Sequence, residues 1–458
     1  MTDRVEQRIV GEMGKAARLC LAGLALLNAA CAHLASDDKP LEKWTPELEQ
    51  RAGKQLQGDR STDLAVLVAF YGGGTRASAF AYGVLQELAA TKIMTAKGSH
   101  SLLHEVDMIS SVSGGSFTAA YYGLHGEQIF TDFEPRFLRK DVEGILFRKL
   151  FNPVNWPRLL SPAYGRSDLA AEYYDKALFD GATLARLQQP DRPLVVINAT
   201  DLASGERMPF VPENFDMLCA DFAAYPVSRA VAASSAVPVI FSPITLENFA
   251  GRCGYQPPAW VAEALKDETL TRRKIVARDI QRLRDRNKRP WLHMVDGGIS
   301  DNLGMRALYD TLSIADDPAA SARDHLHLEA RRILIISVNA HAKHKSDWIL
   351  ERYAPSLFEV IGSVSADQIS RYSEDTVQLV RDTFENWVKD NSTAGRPVTF
   401  QFVNVSFNHV KDDDERDFLN RIGTNFDLSD EQVDRLIAAA RKILRESEDF
   451  QAFIKLNR

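Results

Sequence analysis

The stretch Leu64–Arg76 reads LAVLVAFYGGGTR, and it decides the fold class predicted for this chain. Its first seven residues are a continuous apolar run, which is typical of a strand buried on both faces of a sheet. Gly72, Gly73 and Gly74 follow this run, and the residues from Ser78 to Ala90 then show helical spacing. A buried strand, a glycine turn and a helix in this order indicate an α/β protein with a mainly parallel sheet.

The same alternation continues along the chain. Five further apolar runs are predicted strands: Val106–Val112, Leu194–Thr200, Leu292–Val295, Ile333–Val338 and Phe400–Ser406. Helical patterns lie around them: Pro46–Gln57, Phe117–Leu124, Ser228–Ser234, Met305–Leu312, Leu357–Val380 and Asp430–Glu446. No Pro-, Gly- or Ser-rich linker divides the chain, so we expect one domain over residues 61–458, with insertions near 147–164 and 254–290.

The composition sets bounds on the class of protein. The chain has 458 residues, of which 45% are hydrophobic and 26% charged, and this balance is typical of a globular protein with a large core. A formal net charge of -7 argues against a general nucleic-acid binder, which would carry a basic excess. The 4 Cys and 10 His show no metal-ligand spacing, so no metal site is expected.

The first 30 residues have the layout of a secretory signal. Basic residues precede the apolar run Leu19–Leu27, which is too short to span a bilayer, and small residues follow it. The stretch resembles a bacterial lipobox, in which Cys31 would become the lipid-modified first residue. Asn28 stands where that pattern has Leu, so plain cleavage with secretion, or an uncleaved anchor, stays open. We expect a cell-envelope location and a tether over residues 31–60.

Two cysteines remain beyond this segment. Cys219 and Cys253 would be able to pair in an oxidising compartment. The alternative is two buried free thiols, and the sequence leaves both possibilities open.

The glycine turn is the first group with chemical potential. Consecutive glycines let backbone N–H groups converge on one point, and the helix that follows adds its positive end. Such a turn binds a phosphate or a developing oxyanion, or it is simply a tight strand–helix connection. The GK[ST] ending of a phosphate loop is absent after Gly74, and Ala77 stands where a dinucleotide site needs its last glycine.

The second group is Ser113-Gly114-Gly115-Ser116-Phe117-Thr118, which also lies between a predicted strand and a helix. It resembles a nucleophile elbow, whose usual pattern is GxSxG. Gly114 and Ser116 match that pattern, whereas Thr118 replaces its last glycine. We therefore expect Ser116 to be the raised serine, with an ordinary structural turn as the alternative.

The third group is Asp296-Gly297-Gly298, at the end of the predicted strand Leu292–Val295. Ligand sites in open α/β sheets lie beyond the carboxyl ends of the strands. A carboxylate at that position would reach the same crevice as the other two groups. An Asp-Gly pair is also a common plain turn.

Together with Ala233–Pro238 (ASSAVP), these motifs resemble the four ordered blocks of the patatin-like phospholipases, over roughly residues 63–340. The resemblance implies a three-layer α/β/α sandwich and a serine hydrolase with a Ser–Asp dyad and no His. In that reading Ser116 is the nucleophile and Asp296 is the general base.

The resemblance also assigns roles in the glycine turn. The backbone N–H groups of Gly73 and Gly74, with Thr75 as a third donor, would hold the oxyanion. Arg76 matches the basic residue of the family pattern and would support the loop. Ala77 and Thr118 depart from the glycines of the pattern and would narrow the site.

The implied reaction is hydrolysis of lipid carboxylic esters, including phospholipids, at a membrane surface, without metal or organic cofactor. Two alternatives remain: an acyltransferase that uses the same acyl-enzyme, and a lipid-binding protein without turnover. The segment 147–164 is either a lid or membrane-docking loop or a packed Pro-rich loop. The basic run 266–289 either contacts anionic headgroups or is a solvated helix face. The sequence makes no prediction of oligomeric state.

Overall fold

The computed structural model describes residues 38–49, 60–314, 331–342, 352–354 and 357–457. The predicted signal segment, Cys31 and part of the predicted tether lie outside these residues, so the predicted signal, anchor and domain division stay predictions. Among the helices that the structure describes, none is both long enough and apolar enough to cross a membrane.

A central sheet organises the molecule. Its strands, together with those of a separate hairpin, are β1 (Leu64–Phe70), β2 (Lys92–Thr95), β3 (Gly98–Ser101), β4 (Val106–Val112), β5 (Leu194–Asp201), β6 (Arg207–Pro209), β7 (Ile244–Glu247), β8 (Trp291–Asp296), β9 (Arg332–Asn339) and β10 (Thr399–Ser406). The order across the sheet is β10-β9-β1-β4-β5-β8-β7, with β6 paired to β5, while β2 and β3 form the hairpin.

Helices connect and cover these strands. They are α1 (Pro46–Glu49), α2 (Gly74–Ala90), α3 (Gly114–His125), α4 (Ile129–Phe133), α5 (Val142–Leu150), α6 (Trp156–Leu159), α7 (Arg166–Tyr174), α8 (Pro212–Met217), α9 (Val227–Ser234), α10 (Ala259–Ala264), α11 (Arg272–Arg284), α12 (Gly298–Asp301), α13 (Arg306–Ile314), α14 (Leu357–Asn391), α15 (Asp413–Arg421), α16 (Asp430–Glu446) and α17 (Glu448–Leu456). Shorter 3₁₀ turns occupy Leu102–Glu105, Gly126–Gln128, Pro153–Asn155, Leu184–Leu187 and Phe407–His409. Single π turns occupy Glu134–Leu138 and Asp175–Phe179.

The predicted fold class is confirmed. The pairs β10–β9, β9–β1, β1–β4 and β4–β5 are all parallel. Every residue of β1 and of β4 is buried, so side chains on both faces of these strands are covered by helices. A strand that is buried on both faces gains stability from apolar residues at every position, which explains the continuous apolar runs.

The sheet is mixed at one side, which the sequence did not indicate. β8 pairs antiparallel with β5 and with β7, and β6 pairs antiparallel with β5. β8 overlaps only the end of β5, with Asp296 beside Ala199. Because Val112 at the end of β4 pairs with Asn198, Asp296 ends level with the end of β4. The carboxylate therefore reaches the expected edge of the sheet, but its strand arrives from the opposite direction.

Residues 41–44 and the last described helix are both attached to this core. One connected hydrophobic core includes residues from Leu64 to Ile454. Cys219 and Cys253 form a disulfide, so the free-thiol alternative does not hold in this structure. The backbone N–H groups of Leu41 and Trp44 donate to the carbonyl oxygens of Cys219 and Cys253, at 2.8 and 2.9 Å. The described part of the predicted tether is therefore bound to the disulfide rather than free of the domain.

The basic run 266–289 forms α11 and its flanks. Several of its side chains bind within the protein. The Arg272 guanidinium pairs with Asp310 at 2.8 Å, and Arg289 pairs with Asp201. Arg286 donates to the Asn248 carbonyl at 2.9 Å. These basic groups thus attach α11 and its flanks to α13 and to the ends of β5 and β7, which leaves fewer of them for lipid headgroups.

Candidate active site

Ser113 occupies the sharp turn between β4 and α3. Its backbone has φ 48° and ψ −120°, in a region that non-glycine residues rarely adopt. Such a conformation costs roughly 1–3 kcal/mol, and it is the strained strand-to-helix turn of a nucleophile elbow. The structure therefore places Ser113, rather than Ser116, at the tip of the elbow.

The two glycines after Ser113 let neighbouring backbones approach closely. A Cβ atom on Gly114 would lie 2.0 Å from the carbonyl oxygen of Gly74. A Cβ atom on Gly115 would lie 2.7 Å from the Cβ of Phe70 and 2.8 Å from the carbonyl oxygen of Tyr71. The start of α3 is thus in direct contact with the end of β1 and with the glycine turn that follows it.

Asp296 faces Ser113 across the crevice. Burial raises the pKa of the Asp296 carboxyl to about 6, against an ordinary value of 3.8. Two hydrogen bonds limit that rise: one from the Gly298 N–H at 2.7 Å and one with the Ser113 hydroxyl. Asp296 is 8% exposed and Ser113 is 4% exposed. A carboxylate with this pKa is ionised at neutral pH and able to accept the proton of the serine.

Ser116 lies behind the elbow, and this corrects our expectation. It is the third residue of α3, and its exposed fraction is 0%. Its hydroxyl donates to Ser111 Oγ at 3.1 Å and lies 3.0 Å from Ser234 Oγ. A helical position three residues past the elbow points into the protein. The structure brings Asp296 to Ser113 and not to Ser116.

The ASSAVP segment joins the elbow to the strand that carries Asp296. Ser234 Oγ accepts the Ser113 N–H at 2.9 Å and donates to the Asn198 carbonyl at 2.6 Å. The Gly297 N–H donates to the carbonyl of Ser234 at 3.1 Å, and the Asp296 N–H donates to that of Ala236 at 3.0 Å. Through these four hydrogen bonds, the ASSAVP segment fixes the distance between Ser113 and the Asp296 carboxylate.

The glycine turn lies directly beside the elbow. Gly73 and Gly74 have φ values of 136° and 60°, which only glycine adopts without strain. Neither N–H group, nor that of Gly114, donates a hydrogen bond to any residue in the described ranges. The Thr75 N–H donates to the Asn425 carbonyl at 2.9 Å, so the expected third donor is already occupied. Gly114, the residue after the elbow serine, is the better third donor.

A distant segment, residues 422–426, holds this turn in place. Arg76 is buried, and its guanidinium donates to the Ile422 carbonyl at 2.6 Å and to Thr424 Oγ1 at 3.0 Å. A third bond goes to the Ala340 carbonyl at 3.0 Å. Burial lowers the pKa of Arg76 to about 10. We call residues 422–426 the clamp segment, because it binds both Arg76 and, through Asn425, Thr75.

Asn302 connects the glycine turn with the Asp-Gly-Gly turn. Its carbonyl accepts the Gly72 N–H at 3.1 Å. Its side-chain Oδ1 would lie 2.4 Å from a Cβ on Gly72 and 2.6 Å from a Cβ on Gly298. Asn302 therefore bridges the two turns.

The whole arrangement is an acyl-transfer site in outline: a strained serine, a buried carboxylate and a glycine turn with unoccupied N–H groups. A model of the patatin-like phospholipases matches residues 68–309 of the chain. The chain belongs to the patatin-like phospholipase family. As a member of this family it is a lipid ester hydrolase. No curated protein sequence matches the chain.

Solved structures of human GIVD cytosolic phospholipase A2 are similar to the chain. One has 12% identity and a TM-score of 0.43, and the match covers 91% of this chain and 68% of that one. Another, in complex with methyl gamma-linolenyl fluorophosphonate, has 12% identity and a TM-score of 0.39, with 93% and 67% of the two chains covered.

The patatin-like pattern fits the structure in a different register from the one we expected. With Ser113 at its centre, GxSxG corresponds to Ser111-Val112-Ser113-Gly114-Gly115. Ser111 then replaces the first glycine, and Gly115 supplies the last. Thr118 leaves the motif altogether, and its hydroxyl donates to the Ser78 carbonyl at 2.9 Å. The sequence held one signal for this register. The elbow residue of the pattern directly follows its strand, and Ser113 is the residue directly after β4.

Ala77, the other departure from the family pattern, is also accommodated. It is buried within α2, and its N–H donates to the Gly73 carbonyl at 3.3 Å. The methyl group therefore faces the interior of the protein behind the glycine turn. His293, three residues before Asp296, is exposed and its Nδ1 lies 3.1 Å from Thr245 Oγ1. Within the described residues, no hydrogen bond joins His293 to Ser113 or Asp296, and it is a surface residue of β8.

Proposed function

We propose that this patatin-like protein hydrolyses lipid carboxylic esters through a Ser113–Asp296 dyad and an acyl-Ser113 intermediate. The observation that carries the proposal is the position of Ser113. It is the strained residue of the elbow, it is hydrogen-bonded to the Asp296 carboxyl, and it lies against the glycine turn. No other serine among the described residues combines these three features.

The reaction begins with proton transfer from the Ser113 hydroxyl to Asp296. The serine Oγ attacks the ester carbonyl carbon, and the oxygen that becomes negative accepts hydrogen bonds from the N–H groups of Gly73, Gly74 and Gly114. The tetrahedral species collapses, and the leaving alcohol takes the proton back from Asp296. Asp296 then removes a proton from water, whose oxygen attacks the acyl carbon. The bond to Ser113 Oγ breaks, Asp296 returns the proton to that oxygen, and the carboxylic acid is released.

A labelling experiment with a soluble fluorophosphonate probe tests this assignment. Wild-type protein is expected to be labelled, and Ser113→Ala is expected to lose labelling and at least about 10³-fold of its ester hydrolysis. Asp296→Asn keeps the shape but removes the base, so both signals fall sharply. The matched control is Ser116→Ala, which removes the same hydroxyl three residues further on.

The control separates the two serines. Ser116→Ala is expected to keep labelling and most of its activity, with a stability loss of about 1 kcal/mol from its buried hydrogen bonds. Labelling that survives in Ser113→Ala but disappears in Ser116→Ala would reverse the assignment. A folded wild-type protein that is never labelled would favour the alternative of a lipid-binding protein without turnover.

We further propose an envelope location, with residues 1–30 as a secretory signal and Cys31 as the site of lipid attachment. The disulfide between Cys219 and Cys253 supports an oxidising compartment. Mass spectrometry of the mature protein tests this: a diacylglycerol adduct on an N-terminal Cys31 is expected. An unmodified N-terminus at Met1 or Met13 would contradict the proposal.

A further inference from the structure

A run of exposed apolar side chains extends from the second half of α5 to the end of α6. Phe147, Phe151, Val154, Trp156 and Leu160 are each between 50% and 81% exposed. Single exposed apolar residues are ordinary, but a concentration of large ones in fourteen consecutive positions marks an interaction surface. The rings of Phe147 and Phe151 stack at 6.4 Å, so they form one surface rather than separate points.

Both ends of this run are attached beside the active site. The Val142 N–H, at the start of α5, donates to the Phe426 carbonyl in the clamp segment at 3.0 Å. The Phe426 ring lies 5.8 Å from that of Phe117 on the elbow helix. At the other end, the Ser167 N–H donates to Ser242 Oγ at 3.2 Å. The apolar run is therefore a loop that is fixed at both ends against elements of the site.

A second pair of exposed apolar residues follows the ASSAVP segment. Val239 and Ile240 are 71% and 60% exposed. Val239 has φ 74°, a left-handed conformation that is costly for a β-branched residue. The pair comes three residues after Ala236, whose carbonyl binds the Asp296 N–H, and two residues before Ser242. We call the exposed apolar side chains of 147–160 and 239–240 the apolar rim.

The charged residues within the longer part of the apolar rim are all basic. Residues 147–166 contain four basic residues and no acidic residue, in a chain with a net charge of -7. Arg158 binds Glu172, whereas Arg148 is largely exposed and lies 3.6 Å from Asp141. Arg166 is exposed as well. Apolar and aromatic side chains with flanking basic groups are the composition of a surface that enters an anionic lipid interface.

We propose that the apolar rim inserts into an anionic lipid surface and so brings the Ser113 crevice to its substrate. This inference rests on the proposed lipid-ester function and extends it from the site to the docking surface. The occupant we commit to is a bilayer, because the rim joins positive charge to apolar side chains next to a site for lipid esters. A second copy of this chain, with its net negative charge, is the alternative outcome.

The test uses Trp156 as a reporter of insertion. The full chain carrying Ser113→Ala, which cannot consume the lipid, is mixed with phosphatidylglycerol vesicles whose acyl chains are brominated. Bromine quenches only tryptophans that reach the hydrocarbon. We expect Trp156→Phe to remove at least about half of the quenching, whereas Trp291→Phe leaves it unchanged. The control is matched, because Trp156 and Trp291 are 51% and 46% exposed.

A second pair of variants tests the contribution of the rim to binding. Phe151→Ser with Leu160→Ser is expected to weaken vesicle binding at least about tenfold, because each side chain loses its burial in lipid. Leu202→Ser with Leu270→Ser removes comparably exposed apolar groups elsewhere, 54% and 64% exposed, and is expected to leave binding unchanged. Equal effects of the two pairs, or quenching that Trp156→Phe does not reduce, would overturn the proposal.

Failure of this inference and failure of the proposed function give different results. Fluorophosphonate labelling of Ser113 needs no lipid surface, and quenching in the Ser113→Ala chain needs no turnover. Labelling without Trp156-dependent quenching overturns the docking surface alone. A dimer that the Phe151 and Leu160 substitutions dissociate, without quenching by vesicles, would assign the rim to a second copy and also overturn it.

Discussion

Asp296 is buried with two hydrogen bonds. In the proposed mechanism it is the general base, so its raised pKa would set the pH range of the reaction. The general base must be ionised, and burial raises the pKa of its carboxyl to about 6. We therefore expect kcat/KM for a soluble short-chain ester to increase about tenfold per pH unit below this value and to level off above it. A pH–rate profile with p-nitrophenyl butyrate measures this. An activity that stays constant down to pH 4.5 would contradict it.

The same raised pKa means that ionised Asp296 lowers the free energy of unfolding. Between its ordinary pKa of 3.8 and its folded pKa of about 6, the folded state binds more protons than the unfolded state. The free energy of unfolding therefore falls as the pH rises through this range, by up to about 3 kcal/mol. Asp296→Asn is expected to melt at a higher temperature than wild type at pH 7.5 and at nearly the same temperature at pH 4.

Thermal unfolding at both pH values checks this, with Asp390→Asn, an exposed aspartate on α14, as the control. A lower melting temperature of Asp296→Asn at pH 7.5 would mean that the carboxylate is more stabilised than its burial indicates. We expect these measurements to show that the Asp296 carboxylate lowers the free energy of unfolding while it serves the proposed reaction.

Most residues of the candidate site could be predicted from the sequence, but the backbone conformation that distinguishes their roles could not. The sequence located both turns, Asp296 and the glycines. It assigned Ser116 because Gly114 and Ser116 match the letters of GxSxG. The deciding property is the φ of Ser113, which the pattern does not contain. Ser113 and Ser116 are three positions apart, but Ser113 precedes the helix whereas Ser116 lies within it.

At the scale of elements, the site depends on the contact between the glycine turn and the start of α3. We expect Gly114→Ala to force these backbones apart, because the new Cβ would lie 2.0 Å from the Gly74 carbonyl oxygen. The displaced N–H groups would no longer meet the oxyanion, which costs about 10²-fold or more in kcat. Steady-state kinetics with a parallel measurement of the melting temperature checks this prediction.

The control is Gly98→Ala in the β2–β3 hairpin, where a Cβ would have open space but the φ of 103° disfavours any residue other than glycine. It is expected to lose stability, by about 1 kcal/mol, and to keep its activity. Equal activity losses in the two variants would mean that the effect comes from general destabilisation rather than from the contact.

Among the elements, those with strong periodicity were predictable. β1, β4, β5 and β9 were expected because both faces are buried, and α16 was expected with its observed bounds. The edge strand β10 was expected from its apolar residues, although it is only partly buried. The strands β2, β3, β6 and β7 have four residues or fewer, which is too short for a recognisable pattern. The antiparallel direction of β8 could not be read from its residues, because pairing direction depends on the connection and not on the strand itself.

At the scale of the whole molecule, the disulfide closes a loop between residues 34 positions apart in sequence. We expect its removal to lower the free energy of unfolding by about 2–4 kcal/mol. Reduction with dithiothreitol should lower the melting temperature of wild type. The double variant Cys219→Ser, Cys253→Ser should start from the lower value and show no response to the reductant. A response in that variant would point to another target of the reductant.

The clamp segment has a consequence for the order in which the enzyme is made. Arg76 and its partner Ile422 are separated by 346 positions, so a ribosome completes the strand, elbow and acid long before it reaches the residues that hold the glycine turn. A nascent chain with Ser113 and Asp296 already in place still lacks the support of the proposed oxyanion donors. The proposed ester-cleaving site therefore becomes complete only after the clamp segment has been synthesised and has bound Arg76.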